Sequence, residues 1–424
     1  MNKNAHKLTP MFYIGEAAFE YFISVLITGT YLAKLTSSLG FSDSLTAILG
    51  SFVALGCSFQ LFAIAFFKTG KVKKRVTIMH IINQLLFMGI YIVPLTPISS
   101  MTVKTVLFIM FLLGGYFISN VLHAPKINWF MSMVDDSKRG LFTSIKEMIS
   151  LLGGFAFNFI MGSVIDKYEV AGNIRGAFSV CALTIFILMI LHTITLVFSA
   201  EKEPKKKNTE VSAAKRFETI FRDKNVMKVI MVSVFWTIST HVCTPFFGTY
   251  QVKELGFNMQ YVATLSILSS VARIPCSFIF GQYADKTSFA RMLKVCFIIA
   301  GISFLFAALS NPSNGKLFFA IYTVLYGASM GGINSAQINL IFDYVNPYQR
   351  SDALAVQQTI YGICGFVATL VFTPIFNYIQ HSGNKIFGIE LYPQQFLSVV
   401  ACVLVVLLVF YIDRIILRIR FNKD

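Results

Sequence analysis

The sequence predicts an all-α integral membrane protein in which twelve transmembrane helices form two six-helix bundles. Three observations predict this fold class: the composition, the recurrence of apolar stretches of membrane-spanning length, and an internal repeat. Of the 424 residues, 55% are hydrophobic and only 13% are charged, whereas soluble proteins carry roughly a quarter charged residues. A soluble core cannot bury this much apolar surface, so the chain is expected to use a bilayer as its solvent.

The apolar stretches fit the thickness of a membrane, because a hydrocarbon core of about 30 Å needs about 20 apolar residues per helix. Lipid offers no hydrogen-bond partner to the backbone, so each stretch is expected to be helical. The predicted spans are residues 11–35, 44–67, 76–95, 105–132, 140–165, 176–199, 227–250, 260–282, 292–310, 317–341, 352–379 and 392–416.

One long polar stretch divides these spans six and six. It predicts an amino-terminal bundle over residues 1–199, a cytoplasmic linker over 200–226 and a carboxyl-terminal bundle over 227–424. The later part of the linker, residues 213–221, is compatible with a short surface helix.

The distribution of Lys and Arg orients the chain, because cationic loops stay on the cytoplasmic side of a membrane. Most of the 36 Lys and Arg fall in the termini, the linker and the loops on one side. Both termini are therefore predicted to be cytoplasmic in a multi-pass protein of the cell membrane, and the formal charge of +16 requires no nucleic-acid partner. The loops on the other side hold only Lys34, Lys104, Lys167, Arg175, Lys253, Lys316 and Lys385.

An internal repeat relates the two halves. Ile127-Asn128 in span 4 aligns with Ile338-Asn339 in span 10, and the match continues without a gap through Arg139 and Arg350. Spans 4 and 5 therefore correspond to spans 10 and 11, and each half is a copy of one six-helix unit.

The loop after span 8 carries a glycine, an aspartate and basic residues in a short run: Gly281, Asp285, Lys286 and Arg291. This run resembles a signature of the major facilitator superfamily of transporters, and the resemblance covers essentially the whole chain. The corresponding loop of the first half keeps the basic residues but has Phe67 where the aspartate is expected.

The resemblance implies that these residues gate the protein. A carboxylate facing Arg and Lys at the cytoplasmic ends of two helices can latch the two halves when that side is shut. Arg139 and Arg350, at the starts of spans 5 and 11, also resemble arginines of the superfamily and join the predicted gating set. The alternative interpretation is that the loop charges merely anchor helix ends.

Charges inside the spans are the strongest pointers to function, because a charge at the bilayer centre costs roughly 2.5–3.5 kcal/mol. The resemblance implies that spans 1, 4, 7 and 10 line a central cavity, that spans 2, 5, 8 and 11 join the halves, and that the others support from outside. The middles of spans 3, 6, 9 and 12 hold no charge. The charged residues are Glu16, Glu20, Lys126, Lys146, Glu147 and Arg273.

Glu16 and Glu20 lie four residues apart and share one helix face, as a pair that passes or shares a proton requires. Glu20 lies deeper and is the preferred proton-coupling residue. For Glu16 a solvated position near the headgroups at the start of the helix is preferred, although both belong to the predicted proton-coupling set together with Glu147.

Polar side chains in both halves form the predicted substrate-binding set. Span 4 presents three of them at three-residue spacing, and the repeat places Asn334 opposite His123 and Gln337 opposite Lys126. Lys126 has two equal interpretations, contact with an anionic cargo or a structural ion pair with Glu147. The set consists of Asn120, His123, Lys126, His241, Arg273, Asn334 and Gln337.

These features favour a secondary active transporter that moves a small polar or anionic solute, such as a sugar, sugar acid or organic acid, by alternating access with a proton or sodium ion. A proton-coupled multidrug or metabolite exporter is the alternative, although span 5 lacks the Gly-Pro pair that such exporters tend to carry. A membrane-embedded transferase is a distant third. No phosphate-binding loop or catalytic motif is present, and the seven Cys show no metal-type spacing, so the predicted protein is a monomer without enzymatic activity, cofactor or metal.

Overall fold

The computed structural model describes residues 3–67, 71–134, 139–202, 213–345, 350–386 and 388–419. The α-helices are α1 Lys3–Leu26, α2 Gly29–Ser38, α3 Asp43–Gly50, α4 Phe52–Ser58, α5 Ala63–Phe66, α6 Lys73–Ile92, α7 Met101–Met131, α8 Arg139–Val170, α9 Ile174–Phe198, α10 Ala213–Arg222, α11 Lys224–His241, α12 Phe247–Thr249, α13 Met259–Lys286, α14 Phe289–Leu309, α15 Gly315–Tyr344, α16 Arg350–His381 and α17 Pro393–Arg414.

Short irregular turns and one hairpin complete the described secondary structure. The two strands of the hairpin, β1 and β2, pair antiparallel with Lys385 opposite Glu390. The additional elements are the 3-10 turns Phe59–Phe62, Val93–Leu95, Thr244–Phe246 and Ile416–Arg418, the π-helix Tyr250–Glu254, and the strands β1 Lys385–Ile386 and β2 Ile389–Glu390.

Among the described residues, ten helices are long and apolar enough to cross a membrane. The pair formed by Leu8–Leu26 and α2 passes the same test together, with a bend of 42° between its two parts, and would be an eleventh span. The shorter apolar segment Asp43–Ser58 lies where the second span is predicted. The predicted fold class of a nearly all-helical, multi-pass membrane protein is therefore confirmed.

The first predicted span is bent rather than continuous. Gly29 has a φ of +53°, a left-handed conformation that glycine adopts without a steric penalty and that interrupts an α-helix. The hydroxyl of Thr28 donates to the carbonyl of Ser24 at 2.7 Å, so the backbone at the bend keeps a polar partner. Bending of a span at such a Gly and Thr pair is expected in a membrane helix.

The second predicted span is divided into α3, α4, the turn Phe59–Phe62 and α5. The break between α3 and α4 falls at Ser51, whose hydroxyl donates to the carbonyl of Ile48 at 2.6 Å. Side-chain bonds of this kind compete with the helical ladder and loosen it. The sequence predicts a span over 44–67, and the structure interrupts its regular α-helix at Ser51 and at the turn Phe59–Phe62.

The described residues group into two compact units. Unit 1 comprises those of Met1–Ser42, Phe59–Lys207 and Asn258–Ala263, and unit 2 comprises those of Asp43–Ser58, Asn208–Phe257 and Thr264–Asp424. Within unit 1, α1 packs on α8 and α9, and α6 packs on α7 and α9. Within unit 2, α14 packs on α15 and α17, and α11 packs on α16.

Small residues allow helices of unit 2 to approach closely. A Cβ added at Gly327 would lie 2.3 Å from the carbonyl oxygen of Ser269, and one added at Gly331 would lie 2.7 Å from that of Arg273. These distances are too short for any side chain, so the two glycines of α15 permit the backbone contact with α13.

The predicted surface helix of the linker corresponds to α10, Ala213–Arg222. Residues 203–212 of the linker lie outside the described part of the chain. The domain boundaries at 199 and 227 stay predictions.

Candidate functional site

Three charged side chains of unit 1 converge inside the helical bundle. The Nζ of Lys126 on α7 lies 2.6 Å from Oε1 of Glu16 and 2.5 Å from Oε2 of Glu20, and both glutamates belong to α1. The side chains of Lys126 and Glu16 are 4% and 1% exposed, whereas that of Glu20 is 37% exposed. These three residues form a charge triad, in which only the side chain of Glu20 is accessible from outside the protein interior.

Aromatic packing holds α1 against α7 one turn below the charge triad. The ring of Tyr13 stacks on that of Phe130, with a distance of 4.4 Å between the centroids and an angle of 1° between the ring planes. Tyr13, Trp129 and Phe130 belong to one buried apolar cluster. Because this cluster excludes water, the Coulomb attraction within the charge triad is stronger than it would be at a surface.

Neutral polar side chains extend the charge triad toward α6 and α9. Nε2 of His192 lies 3.1 Å from Oε1 of Glu16 and 2.7 Å from Nε2 of His80. Nε2 of Gln84 lies 2.7 Å from Nδ1 of His192. All three of these side chains are buried, so α1, α6, α7 and α9 share one continuous buried polar network.

The charge balance of the triad determines what it can do. With both carboxylates ionised and Lys126 protonated, the three groups carry a net charge of −1 in a setting of low dielectric. A buried unpaired charge is costly, so the triad favours the arrival of a cation. Glu20 is the exposed member, and it is therefore the carboxylate that an incoming cation meets first.

The structure corrects the expectation for Glu16. A solvated position near the headgroups is wrong, because Glu16 is fully buried and ion-paired. The sequence interpretation placed Glu16 by its distance from the start of the apolar stretch, but α1 begins at Lys3 and carries Glu16 well into the helix.

Lys126 has two partners that neither sequence interpretation suggested, namely the two glutamates of α1. Of the neighbouring charges on α8, Glu147 is exposed. Lys146 is half-buried and lies over the ring of Tyr13, with its Nζ 5.0 Å from the ring centroid.

The remaining candidates of α7 lie beside the triad along the same helix. Asn120 is half-buried, donates to the carbonyl of Tyr116 at 2.9 Å and lies 3.4 Å from the amide nitrogen of Gln60. His123 is exposed. Contact of either residue with a cargo stays a prediction.

In unit 2, His241 ends α11 and its Nδ1 lies 2.9 Å from the carbonyl oxygen of Thr237. Arg273 on α13 is half-buried, Asn334 on α15 is exposed and Gln337 is half-buried. The structure therefore places one predicted substrate contact on each of α11 and α13 and two on α15.

The predicted gating residues lie at helix ends, with Gly281, Asp285 and Lys286 in the last turns of α13 and Arg291 in the first turn of α14. Asp285, Lys286 and Arg291 are exposed, and Gly281 has no atom within 4 Å of an added Cβ. Arg350 begins α16 and its Nε donates to the carbonyl of Val345 at 3.3 Å. Arg139 begins α8, and its side chain lies outside the described part.

A second ionic contact joins the first turn of α3 to two other segments of unit 2. Asp43, with a side chain only 5% exposed, lies 2.5 Å from Nζ of Lys253 in the π-helix and accepts from Nε2 of Gln380 at 2.8 Å. In unit 1, the carboxylate of Asp166 accepts from the backbone nitrogens of Met259 and Gln260, at 2.8 Å each. Asp166 therefore caps the start of α13.

Sequence reasoning missed His80, Gln84 and His192. These residues carry no formal charge and lie on spans 3 and 6, which are expected to support the bundle from outside. A signal was available: His80 and Gln84 are four residues apart on one face of α6, and both are polar in an otherwise apolar stretch.

The model of the Major Facilitator Superfamily matches residues 14–369. No curated protein matches the sequence significantly.

Solved structures with a similar fold cover nearly all of the chain. A bacterial homolog of the human lysosomal transporter Spinster, in an inward-facing and unoccupied conformation, superposes with a TM-score of 0.71 and 13% identity over 100% of both chains. The nucleoside transporter NupG gives 0.66 and 12% identity over 97% of this chain and 98% of its own. A D-xylose–proton symporter gives 0.62 and 14% identity over 94% and 96%, respectively.

Proposed function

The chain belongs to the major facilitator superfamily of transporters, and we propose that it is a cation-coupled symporter of a small polar or anionic solute. The solved structures of similar fold include a nucleoside transporter and a D-xylose–proton symporter. At 12% and 14% identity they support the fold alone. The substrate class and the coupling are therefore argued from the residues of this chain.

The charge triad of Glu16, Glu20 and Lys126 is the observation that carries the proposal. Two acids and one base on facing helices can exist in two states, with the ammonium shared by both carboxylates or held by one of them. A cation that reaches Glu20 competes with Lys126 for that carboxylate. Its arrival therefore changes the contact between α1 and α7, two of the helices that line the cavity in this superfamily.

A proton is the coupling cation that we favour, with a sodium ion as the alternative. A proton neutralises Glu20, releases it from Lys126 and leaves Lys126 paired with Glu16. Glu16, being buried, then serves as the fixed partner. Glu147, the third acid of the predicted coupling set, is exposed and lies on the neighbouring α8.

Candidate solute contacts are the uncharged polar groups of α7, α11 and α15 together with Arg273 of α13. Arg273 is the candidate contact for an anionic solute, because a guanidinium can bind a carboxylate in bidentate fashion. The solute is therefore expected to present hydroxyl groups, with or without one negative charge, as a sugar, sugar acid or organic acid does. The uncharged contacts are Asn120, His123, His241, Asn334 and Gln337.

Alternating access needs contacts that break at each end of the molecule. By the charge rule for loops, Asp285, Lys286, Arg291, Arg139 and Arg350 lie at the cytoplasmic end. By the same rule, the loops that hold Lys167 and Lys253 lie at the opposite end. We also propose that both termini are cytoplasmic, that the protein resides in the cell membrane and that a single chain carries out transport.

The test is transport by the purified protein in lipid vesicles. A panel of labelled sugars, sugar acids and organic acids is offered under an imposed proton gradient and, separately, a sodium gradient. We expect accumulation of at least one solute under the proton gradient. Accumulation only when the gradient is reversed would favour the exporter, and indifference to both gradients would exclude coupling.

Glu20→Gln isolates the coupling step, because the amide keeps the shape of the side chain but cannot carry the proton. The variant should lose gradient-driven accumulation yet retain exchange of labelled for unlabelled solute. Glu169→Gln is the matched control: this acid also pairs with a lysine, Lys34, but it is exposed at a helix end. Equal accumulation by wild type and Glu20→Gln would remove Glu20 from the coupling.

A further inference from the structure

Three metal-binding side chains meet at the inner end of the buried polar network. One carboxylate oxygen of Glu16 and one ring nitrogen each of His80 and His192 all lie within 4.8 Å of one another. They come from three different helices, α1, α6 and α9, and all three residues are buried. Imidazole nitrogen with carboxylate oxygen is a donor set typical of zinc and related transition metals.

Close contacts between two imidazole rings and a carboxylate oxygen define the centre of this cluster. The amide nitrogen of Gln84 donates to Nδ1 of His192, which places the single proton of neutral His192 on Nε2. Nε2 of His192 then faces two acceptors, Oε1 of Glu16 at 3.1 Å and Nε2 of His80 at 2.7 Å. Oε1 of Glu16 also contacts Lys126, and Nε2 of His80 lies 3.3 Å from the amide nitrogen of Gln84. The oxygen and nitrogen atoms of Glu16, His80 and His192 therefore converge at one point, as the ligand atoms of a metal site do.

One further atom supports a ligand at this point. Within the described part of the chain, Oε2 of Glu16 is buried without a hydrogen-bond partner. Unpartnered buried polar atoms are uncommon and require an explanation. Because Lys126 contacts Oε1 of Glu16, the other carboxylate oxygen is available to a metal without loss of that ion pair.

We propose that Glu16, His80 and His192 bind one divalent transition-metal ion of the zinc class. Three protein ligands leave a fourth position of a tetrahedral site open, as in zinc sites that bind a further molecule. Gln84 orients the imidazole of His192 from the second coordination sphere. The sequence shows no metal-binding spacing, because the two histidines lie 112 residues apart on separate spans.

A bound ion has a mechanical consequence for unit 1. It ties α6 and α9 to α1, the helix that also carries Glu20. It also supplies positive charge next to Glu16, so that Lys126 is drawn less strongly to Glu16 and more strongly to Glu20.

Metal binding does not depend on what the protein transports, so the test uses neither solute nor gradient. Purified protein is stripped with a chelator and titrated with Co²⁺, whose visible absorption reports its ligands, and then with Zn²⁺ as competitor. We expect one Co²⁺ per chain, displaced by Zn²⁺. Gln84→Leu should weaken the affinity about 10- to 100-fold, as loss of a second-sphere contact does.

Variants of the ligands identify the site. Glu16→Gln, His80→Gln and His192→Gln should each abolish the Co²⁺ spectrum, whereas His381→Gln, which alters an exposed histidine at the end of α16, should leave it unchanged. Full binding by the three ligand variants would overturn the proposal. If a ligand variant does not fold, X-ray absorption of the zinc-loaded wild type decides: a coordination shell without imidazole nitrogen, or no zinc retained, overturns it as well.

Discussion

Helices α8 and α16 are counterparts in the internal repeat, yet their equivalent residues Lys146 and Gln357 meet different partners. Lys146 of unit 1 lies over the ring of Tyr13 on α1. Gln357 of unit 2 is buried and donates to the hydroxyl of Ser233 on α11. In each half the contact joins the fifth predicted span to the first. The position of the contact is therefore common to the two halves, whereas the charge of the side chain differs.

The same difference recurs at the next pair of counterparts. Lys126 of α7 pairs with two carboxylates, whereas its repeat counterpart Gln337 on α15 carries no charge. His241 of unit 2 lies beside the hydroxyls of Thr237 and Thr240, which are neutral. The same fold therefore holds a charged network around Lys126 and uncharged hydrogen bonds at the corresponding helices of the other half.

Removing Lys126 should produce the largest effect. Lys126→Met leaves buried Glu16 without its cation, and breaking a buried ion pair from one side costs about 3–5 kcal/mol. The thermal unfolding midpoint of the purified protein is expected to fall strongly. Adding Glu16→Gln in the same chain removes the stranded charge and should recover part of the loss. If the double variant is no more stable than the single one, the pair is not the source of the loss.

Substitution of Asp43 should cause the next largest loss of stability. Asp43 is a buried charge of unit 2, but it lies at the end of a helix and not in the middle of a span. Asp43→Asn keeps an acceptor for Gln380 but loses the charged contact with Lys253, at an expected cost of about 2 kcal/mol. Thermal unfolding measures this loss. Lys253→Met should cost more, because it leaves the buried carboxylate of Asp43 without its cation, whereas Asp43→Asn leaves only the more exposed lysine without its anion. A smaller loss for Lys253→Met than for Asp43→Asn would contradict the burial-based order.

Gln357→Leu tests the uncharged contact of unit 2. The substitution removes a buried hydrogen bond to Ser233, whose hydroxyl can turn to a backbone carbonyl, so the expected loss is about 1 kcal/mol. The loss of stability in Gln357→Leu is compared with that in Lys126→Met under the same conditions, which measures the difference between the uncharged and the charged contact directly. A loss as large as that of Lys126→Met would remove the distinction between the charged network around Lys126 and the uncharged contact of Gln357.

The fold could be predicted from the sequence because membrane spans are local. The length of each apolar stretch locates a span along the chain, and the internal repeat shows that the spans form two halves. The bend at Gly29 and the break at Ser51 could not be predicted with equal ease, since glycine and serine are also common inside intact membrane helices.

The candidate site was predicted only in its parts. Glu20 and Lys126 were singled out because charge in a span is rare, but their pairing joins residues 106 positions apart and no local pattern reports it. The two histidines of α6 and α9 were missed because they are uncharged residues on spans expected to support from outside. Only the packing of α1 on α9, and of α6 on α9, brings their rings to Glu16.

Lys146→Met should have the smallest effect and tests the charged counterpart of Gln357 directly. The methionine keeps the apolar stem over Tyr13 but loses the attraction between the ammonium and the ring, which is about 0.5–1 kcal/mol at a partly exposed site. Lys146→Arg retains that attraction and serves as the control for side-chain length. The thermal unfolding midpoint of Lys146→Met is expected to lie slightly below those of the wild type and of Lys146→Arg. Should Lys146→Met be as damaging as Lys126→Met, the two lysines belong to a single network, and the charge triad extends to α8.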